Sequence, residues 1–338
     1  MDIAVPANPE VSIIVPARNE EVCLRDCLRS LAAQTGVAFE IIVVDDGSTD
    51  RTRAIAESVR GVRVVSPGPL PAGWSGKNNA VVAGAKEARG NWLLFTDADT
   101  VHLPGSLARA LTEAKENQAE LLSYSPEQIA VTFAEKVVMP VIFAELAAQY
   151  PPEKVRDQSS GVVAANGQYI LVRRDAYESA GGHAAVADKI LEDVTLARAF
   201  RAAGYKVYFR YSADAVRTRM YRNWNELREG WTKNLALLFP HPVRLAMGLF
   251  AWWLTLPSLI TAAVLYLRVR RANFGSGTTL IATAFGPPVV GYLLLRSVRT
   301  HGRGEVSWKG RVYSEPGSAM AVSRPSGTRI DPALESRH

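Results

Sequence analysis

A doubly wound, mostly parallel α/β sheet followed by membrane-crossing helices is the fold this 338-residue chain predicts, on three observations. Short β-branched runs at 11–15, 41–44, 62–65 and 92–95 lack polar alternation, the mark of strands buried on both faces. Helical segments separate them, and strand and helix in alternation give a parallel sheet. Near the other end, 245–267 and 272–295 hold no charged residue, and each is long enough to cross a hydrocarbon core of roughly 30 Å.

In chain order, helices are expected near 20–33, 50–58 and 78–89 between the four strands. Right-handed crossovers bring the strands' carboxyl ends to one edge, where open α/β sheets bind ligands. Further on, 107–116 reads as a helix. So does 131–150, which is unusually apolar, with Glu135, Lys136 and Glu145 its only charges and Pro140 placed to bend it. It suits either a core helix or an interfacial helix lining an apolar groove. A strand over 166–173, a turn at Gly181-Gly182 and helices over 192–203 and 224–238 complete a catalytic domain over 1–240.

Residues 243–298 form the membrane region. Trp252 and Trp253 lie well inside its first uncharged stretch, which an aromatic belt does not explain. Arg228, Lys233 and Arg244 on one side and Arg296, Arg299, Arg303, Lys309 and Arg311 on the other outweigh Arg268, Arg270 and Arg271 in the connection. Two crossings with both ends cytoplasmic are therefore expected, with a re-entrant hairpin as the rival. The remainder, 299–338, reads as a basic cytoplasmic segment and a disordered tail from Ser314. No signal peptide is visible.

The net charge of +6 comes partly from arginines around the apolar stretches, so it suits anionic lipid headgroups better than nucleic acid. No interleaved aromatic and basic ladder argues for DNA or RNA. Cys23 and Cys27 are four apart on one predicted helix, which is poor disulfide geometry and too few ligands for a metal; both read as reduced, buried thiols.

The chemistry-bearing residues fall at strand ends. Asp97-Ala98-Asp99 follows the fourth strand, and two carboxylates there suit Mn²⁺ or Mg²⁺, which prefer oxygen ligands and bridge to a diphosphate. Asp45 and Asp46 end the second strand and can accept hydrogen bonds from a base or a ribose. Asp50, just beyond, reads as a helix cap. Pro16, Arg18, Asn19 and Glu20 follow the first strand and would wall the same pocket. Lys77, in a glycine-containing loop that opens a helix, suits phosphate, although a plain surface loop fits the spacing as well. Glu192-Asp193 starts a helix, where carboxylates favour the dipole. His102 and His183 are not assigned to a metal.

The set Val11-Ser-Ile-Ile-Val-Pro-Ala-Arg-Asn-Glu20, Asp45-Asp-Gly-Ser-Thr-Asp50 and Asp97-Ala-Asp99, in this order, resembles family 2 glycosyltransferases of the GT-A fold. That resemblance implies an inverting, metal-dependent enzyme that takes a sugar from a nucleotide diphosphate, by default a UDP-sugar. It gives Asp193 the role of general base with Glu192 in support, Asp97 and Asp99 the metal and diphosphate, Asp45 and Asp46 the nucleoside, and Lys77 the phosphates. Segments at Asn166–Arg174, Gly181–His183, Glu229–Asn234 and Trp308–Tyr313 resemble the bacterial subgroup that glycosylates carotenoid or hopanoid-type lipids. A lipid acceptor and a multi-pass place in the cell membrane with the catalytic domain cytoplasmic are thereby implied. Arg222, Trp231 and Lys233 are candidates for acceptor or diphosphate contact, although only a loose echo of the Q-x-x-R-W element of processive relatives is present. Polyprenyl-phosphate sugar transfer is the near alternative, and a non-catalytic membrane scaffold the distant one. A sugar nucleotidyltransferase is disfavoured by the absence of a G-x-G loop after the first strand.

Overall fold

The computed structural model describes residues 6–304, 306–308 and 311–313; the tail expected from Ser314 and the basic Lys309 lie outside them. The first half follows the sequence expectation: β1 (Val11–Ala17), α1 (Leu24–Ala32), β2 (Phe39–Asp45), α2 (Thr52–Glu57), β3 (Val62–Val65), α3 (Gly76–Glu87) and β4 (Trp92–Thr96). β1, β2 and β4 are mostly apolar and buried between helices, so no polar face is needed. Cys27 is buried and Cys23 half-buried, both unpaired by disulfide.

Past Asp99 come β5 (Thr100–His102), α4 (Ser106–Glu116), β6 (Leu121–Gln128), α5 (Phe133–Gln149), α6 (Pro152–Arg156), β7 (Tyr169–Arg173), α7 (Arg174–Ser179), α8 (Glu192–Ala202) and β8 (Val207–Thr218). The eight strands form one sheet in the order β3-β2-β1-β4-β7-β6-β8-β5. The quartet β3-β2-β1-β4 is parallel, whereas β7 runs antiparallel to both β4 and β6. The sheet is therefore mixed rather than uniformly doubly wound. Neither β6 nor β8 is foreseen by pattern: β6 contains two serines and Pro126, and β8 is rich in Arg and Tyr. They pair with each other in parallel, with a register shift at Pro126, where proline cannot donate to the ladder.

This topology decides where the site lies. Thr96 at the end of β4 faces Tyr169 at the start of the antiparallel β7, so the loop before β7 arrives beside Asp97. The strands β1, β2, β4, β6 and β8 all end at that same edge.

A third layer is built from α5, α9 (Trp224–Leu238), α10 (Pro242–Leu254), α11 (Leu259–Arg270) and α12 (Ser276–Gly302); a short hairpin of β9 (Val306–Trp308) and β10 (Arg311–Tyr313) follows. Thr132 and Glu135 cap α5 reciprocally, and the helix continues through Pro140. Val137 to Ala144 are buried, as a core helix requires, and Phe143 and Leu146 also line the cavity described below, as the groove reading requires. α12 packs on α5 so closely that a Cβ on Gly286 would come within 2.5 Å of the Val137 carbonyl.

The expected two crossings are not shown here. The stretch 245–267 is not one span but is interrupted at 255–258, leaving α10 with 13 residues and α11 with 12. At 1.5 Å per residue these extend about 20 and 18 Å, too short for a hydrocarbon core of roughly 30 Å. Among the described residues α12 alone, with 27, is long and apolar enough for a span, and half of its apolar window is buried against protein.

Candidate active site

A cavity of about 640 Å³ opens at the carboxyl edge of the sheet. Thirteen of the fourteen residues proposed from sequence line it: Pro16, Arg18, Asn19, Glu20, Asp46, Lys77, Asp97, Asp99, Glu192, Asp193, Arg222, Trp231 and Lys233. Asp45 does not. Successive residues leaving a strand point opposite ways, and the Asp45 carboxylate turns to the Ser48 N–H at 3.2 Å and Arg53 at 3.7 Å. Asp50, read as a cap, accepts the Thr52 N–H at 2.9 Å and the Glu21 N–H at 3.1 Å.

At the polar end, Arg18 donates to the Asp46 carbonyl at 2.7 Å, which ties the first two strand ends together. Ser75 caps α3 by accepting the Asn78 N–H, and the Asn78 side chain donates to the Val186 and Ala187 carbonyls, both at 3.0 Å. These bonds dock the start of α3 against the turn that leads towards α8. As a result Lys77 Nζ lies 2.8 Å from Asp97 Oδ1 and 3.0 Å from Glu192 Oε1, two residues almost a hundred positions apart. Burial alone would discharge this lysine, but the two carboxylates override it and hold the ammonium well above its ordinary range.

Asp193 is anchored differently. Its Oδ2 accepts the Gly167 N–H at 2.8 Å and its Oδ1 the Val194 N–H at 2.7 Å. Burial, reinforced by the neighbouring Glu192 charge, raises its carboxyl to about 6 despite Lys77 and the two N–H donors. Glu192 goes the other way: burial would raise it, yet Lys77 and then Lys233 hold it below the usual range. Two adjacent carboxylates are thus split into one held ionised and one poised near neutrality. Gly167 was missed as a site residue, although Asn166-Gly167 is a turn dipeptide. A Cβ there would lie 3.2 Å from Lys77 Nζ and 3.5 Å from the oxygens of Asp193 and Glu192, so the backbone approach leaves little room.

The other end is apolar. Phe143 and Leu146 from α5, Tyr150 at its C-cap, Phe209 from β8, and Met220 and Tyr221 wall it. Trp231, 2% exposed, is part of this wall: its Nε1–H donates to Met139 Sδ at 3.4 Å, and its ring meets Phe143 and Tyr221 edge-on. Tyr150 closes the region by donating to the Leu238 carbonyl at 2.6 Å. These residues escape sequence reading because nothing distinguishes them from ordinary core.

For a divalent cation, Asp97 and Asp99 offer hard oxygen ligands on one wall of the cavity. No group of three or more His, Cys, Asp or Glu able to hold a metal occurs among the described residues. The two carboxylates alone would supply only part of an ion's shell, and Lys77 Nζ lies 2.8 Å from Asp97 Oδ1. Both histidines are engaged elsewhere. His102 Nε2 lies 3.1 Å from both Thr96 Oγ1 and Thr100 Oγ1, and burial lowers the imidazole to about 3. His183 bonds Tyr177 and is lowered by burial to about 4.

Comparison with known proteins bears on the family and the fold. The glycosyl transferase family 2 sequence model matches residues 12–181. The 4,4'-diaponeurosporenoate glycosyltransferase of Staphylococcus aureus strain MRSA252 is 27% identical over 337 residues, covering 90% of this chain and 88% of that protein. Its counterpart in strain USA300 is 30% identical over 265 residues, covering 76% and 65%. The mannosyltransferase PcManGT from Pyrobaculum calidifontis, solved in complex with GDP-Man and Mn²⁺, shares the fold with a TM-score of 0.55 at 19% identity, over 88% of this chain and 89% of that one.

Proposed function

The chain belongs to glycosyl transferase family 2 and is a glycosyltransferase; from that premise we propose that it transfers a sugar, with inversion, from a UDP-sugar to a membrane-resident acceptor of carotenoid or hopanoid type. The observation that supports this reading most is the two-ended cavity, charged at the sheet edge and apolar beneath α5, with Asp193 in its wall. A soluble, anionic donor and a long apolar acceptor need such a site. The names of the relatives, whose acceptor is a carotenoid carboxylate, support the same acceptor class.

In this reading Pro16, Arg18, Glu20 and Asp46 receive the nucleoside, and Lys77 receives the diphosphate. Asp97 and Asp99 would hold Mn²⁺ or Mg²⁺, which when bound neutralises the charge that develops on the leaving diphosphate. Asp193 accepts the proton of an acceptor hydroxyl as its oxygen bonds to the anomeric carbon and the bond to the diphosphate breaks. The two backbone N–H groups keep the carboxylate aimed while it does so. With a carboxylate acceptor no proton need be removed, and the base role of Asp193 applies to a hydroxyl acceptor only. Arg222 and Lys233, from the α9 side of the cavity, are suited to either the acceptor head or the departing diphosphate.

The test is transfer of radiolabel from a panel of UDP- and GDP-sugars into an organic-soluble product by purified protein in nanodiscs. Label lost in Asp193→Asn and Asp99→Ala supports the assignment. Absence of nucleotide binding by the wild type overturns it.

A further inference from the structure

The interruption at 255–258 turns an expected crossing into a different membrane device. Between Arg244 and Arg268 no residue is charged, and from 251 to 260 every residue except Leu256 is exposed. Leu254, Leu259 and Ile260 are 72%, 87% and 78% exposed, and the outer face of α11 adds Val264 and Leu267. A contiguous apolar surface of this kind marks an interaction site.

The direction of the chain follows from one contact. The Arg268 guanidinium lies 5.8 Å from the Trp252 ring. Sixteen residues of straight helix would separate their backbones by about 24 Å, more than these two side chains can bridge. The chain therefore turns at 255–258 instead of running straight, and Arg268 at the far end of the uncharged stretch returns to the protein. Glu145 of α5, itself buried, holds Arg268 at 2.8 and 2.5 Å, which fixes α11 in the returning position.

We infer that α10 and α11 form a re-entrant hairpin whose tip enters one leaflet of an anionic bilayer and does not cross it. Trp252 and Trp253 then lie at headgroup level, where indoles are favoured, and the residues from Leu254 to Val264 reach the acyl chains. This accounts for two tryptophans in the middle of an uncharged stretch. Arg244, Arg270 and Arg271 are exposed on the flanks and meet anionic headgroups. α9 turns into α10 through 113°, so the helix that brings Trp231 and Lys233 to the cavity is joined directly to the inserted element. The inference concerns the membrane attachment in the reading above and is independent of the sugar chemistry.

The experiment uses the full chain in sealed phosphatidylcholine–phosphatidylglycerol vesicles without nucleotide. Tryptophan fluorescence is read with lipids brominated either near the headgroup or near the chain end. Quenching should be stronger with the shallow bromines, and that excess should vanish in Trp252→Phe/Trp253→Phe. In vesicles with the catalytic domain outside, Ser276→Cys should react with an impermeant maleimide above the wild-type background. Stronger quenching by the deep bromines, no quenching by either, or a Ser276→Cys thiol that reacts only after detergent would each overturn the hairpin. None of these readouts involves donor or acceptor, so failure here leaves the transferase reading standing.

Discussion

Replacing Asp193 with Asn keeps the shape of the side chain and removes its basicity. Two effects on stability oppose each other. The wild-type carboxyl is raised from 3.8 to about 6, so ionising it at neutral pH costs about 3 kcal/mol, which the amide escapes. The amide, however, offers one oxygen to two backbone donors, those of Gly167 and Val194, and leaving one unpaired costs about 1–3 kcal/mol. The variant should therefore fold, with a melting temperature within a few degrees of the wild type. Activity has no such compensation. A positioned general base contributes about 10²–10⁴-fold, or roughly 3–5 kcal/mol of barrier, so kcat/KM towards a hydroxyl acceptor should fall by that factor while donor binding persists. The pH profile gives the sign. Asp193 acts only when deprotonated, so log kcat/KM should rise with unit slope below about 6 and level off above it. Initial rates of label transfer from pH 5 to 8, with nucleotide affinity by calorimetry, measure both. A folded Asp193→Asn that retains more than a tenth of the activity, or a flat wild-type profile with a hydroxyl acceptor, would refute the base role.

Lys77→Met leaves Asp97 and Glu192 facing one another without their shared cation, so affinity for UDP should fall about 10- to 100-fold, a loss of roughly 1.4–2.7 kcal/mol; isothermal titration checks it. EDTA should abolish transfer and added Mn²⁺ or Mg²⁺ restore it, whereas Asp99→Ala should stay inactive at any ion concentration that saturates the wild type. Gly230→Ala places a Cβ 2.4 Å from the Tyr221 ring in the cavity wall. It should destabilise by about 1–3 kcal/mol and raise the acceptor KM more than the donor KM, measured by denaturant unfolding and steady-state kinetics.

What sequence alone determined is the local part of this protein. Strands β1, β2 and β4 are legible because each is buried on both faces and is therefore mostly apolar, and the half-buried β3 is legible from its β-branched valines. The D-x-D, the lysine and the Glu-Asp pair are legible because carboxylates and a cation at element ends serve few purposes other than ligand chemistry. Tertiary structure decided whatever depends on pairing distant segments. β6 and β8 lack a strand-like pattern and exist because each completes the other's ladder. That Lys77 joins Asp97 to Glu192 follows from docking α3 on the turn before α8, and that Gly167 orients Asp193 follows from β7 running antiparallel to β4. Asp45 faces away from the cavity because of the side on which its strand's last residue falls. Hydropathy, likewise, records only that 245–267 avoids water. Whether it crosses a membrane or turns back depends on a contact between Arg268 and Trp252, and a sum over residues contains no contacts.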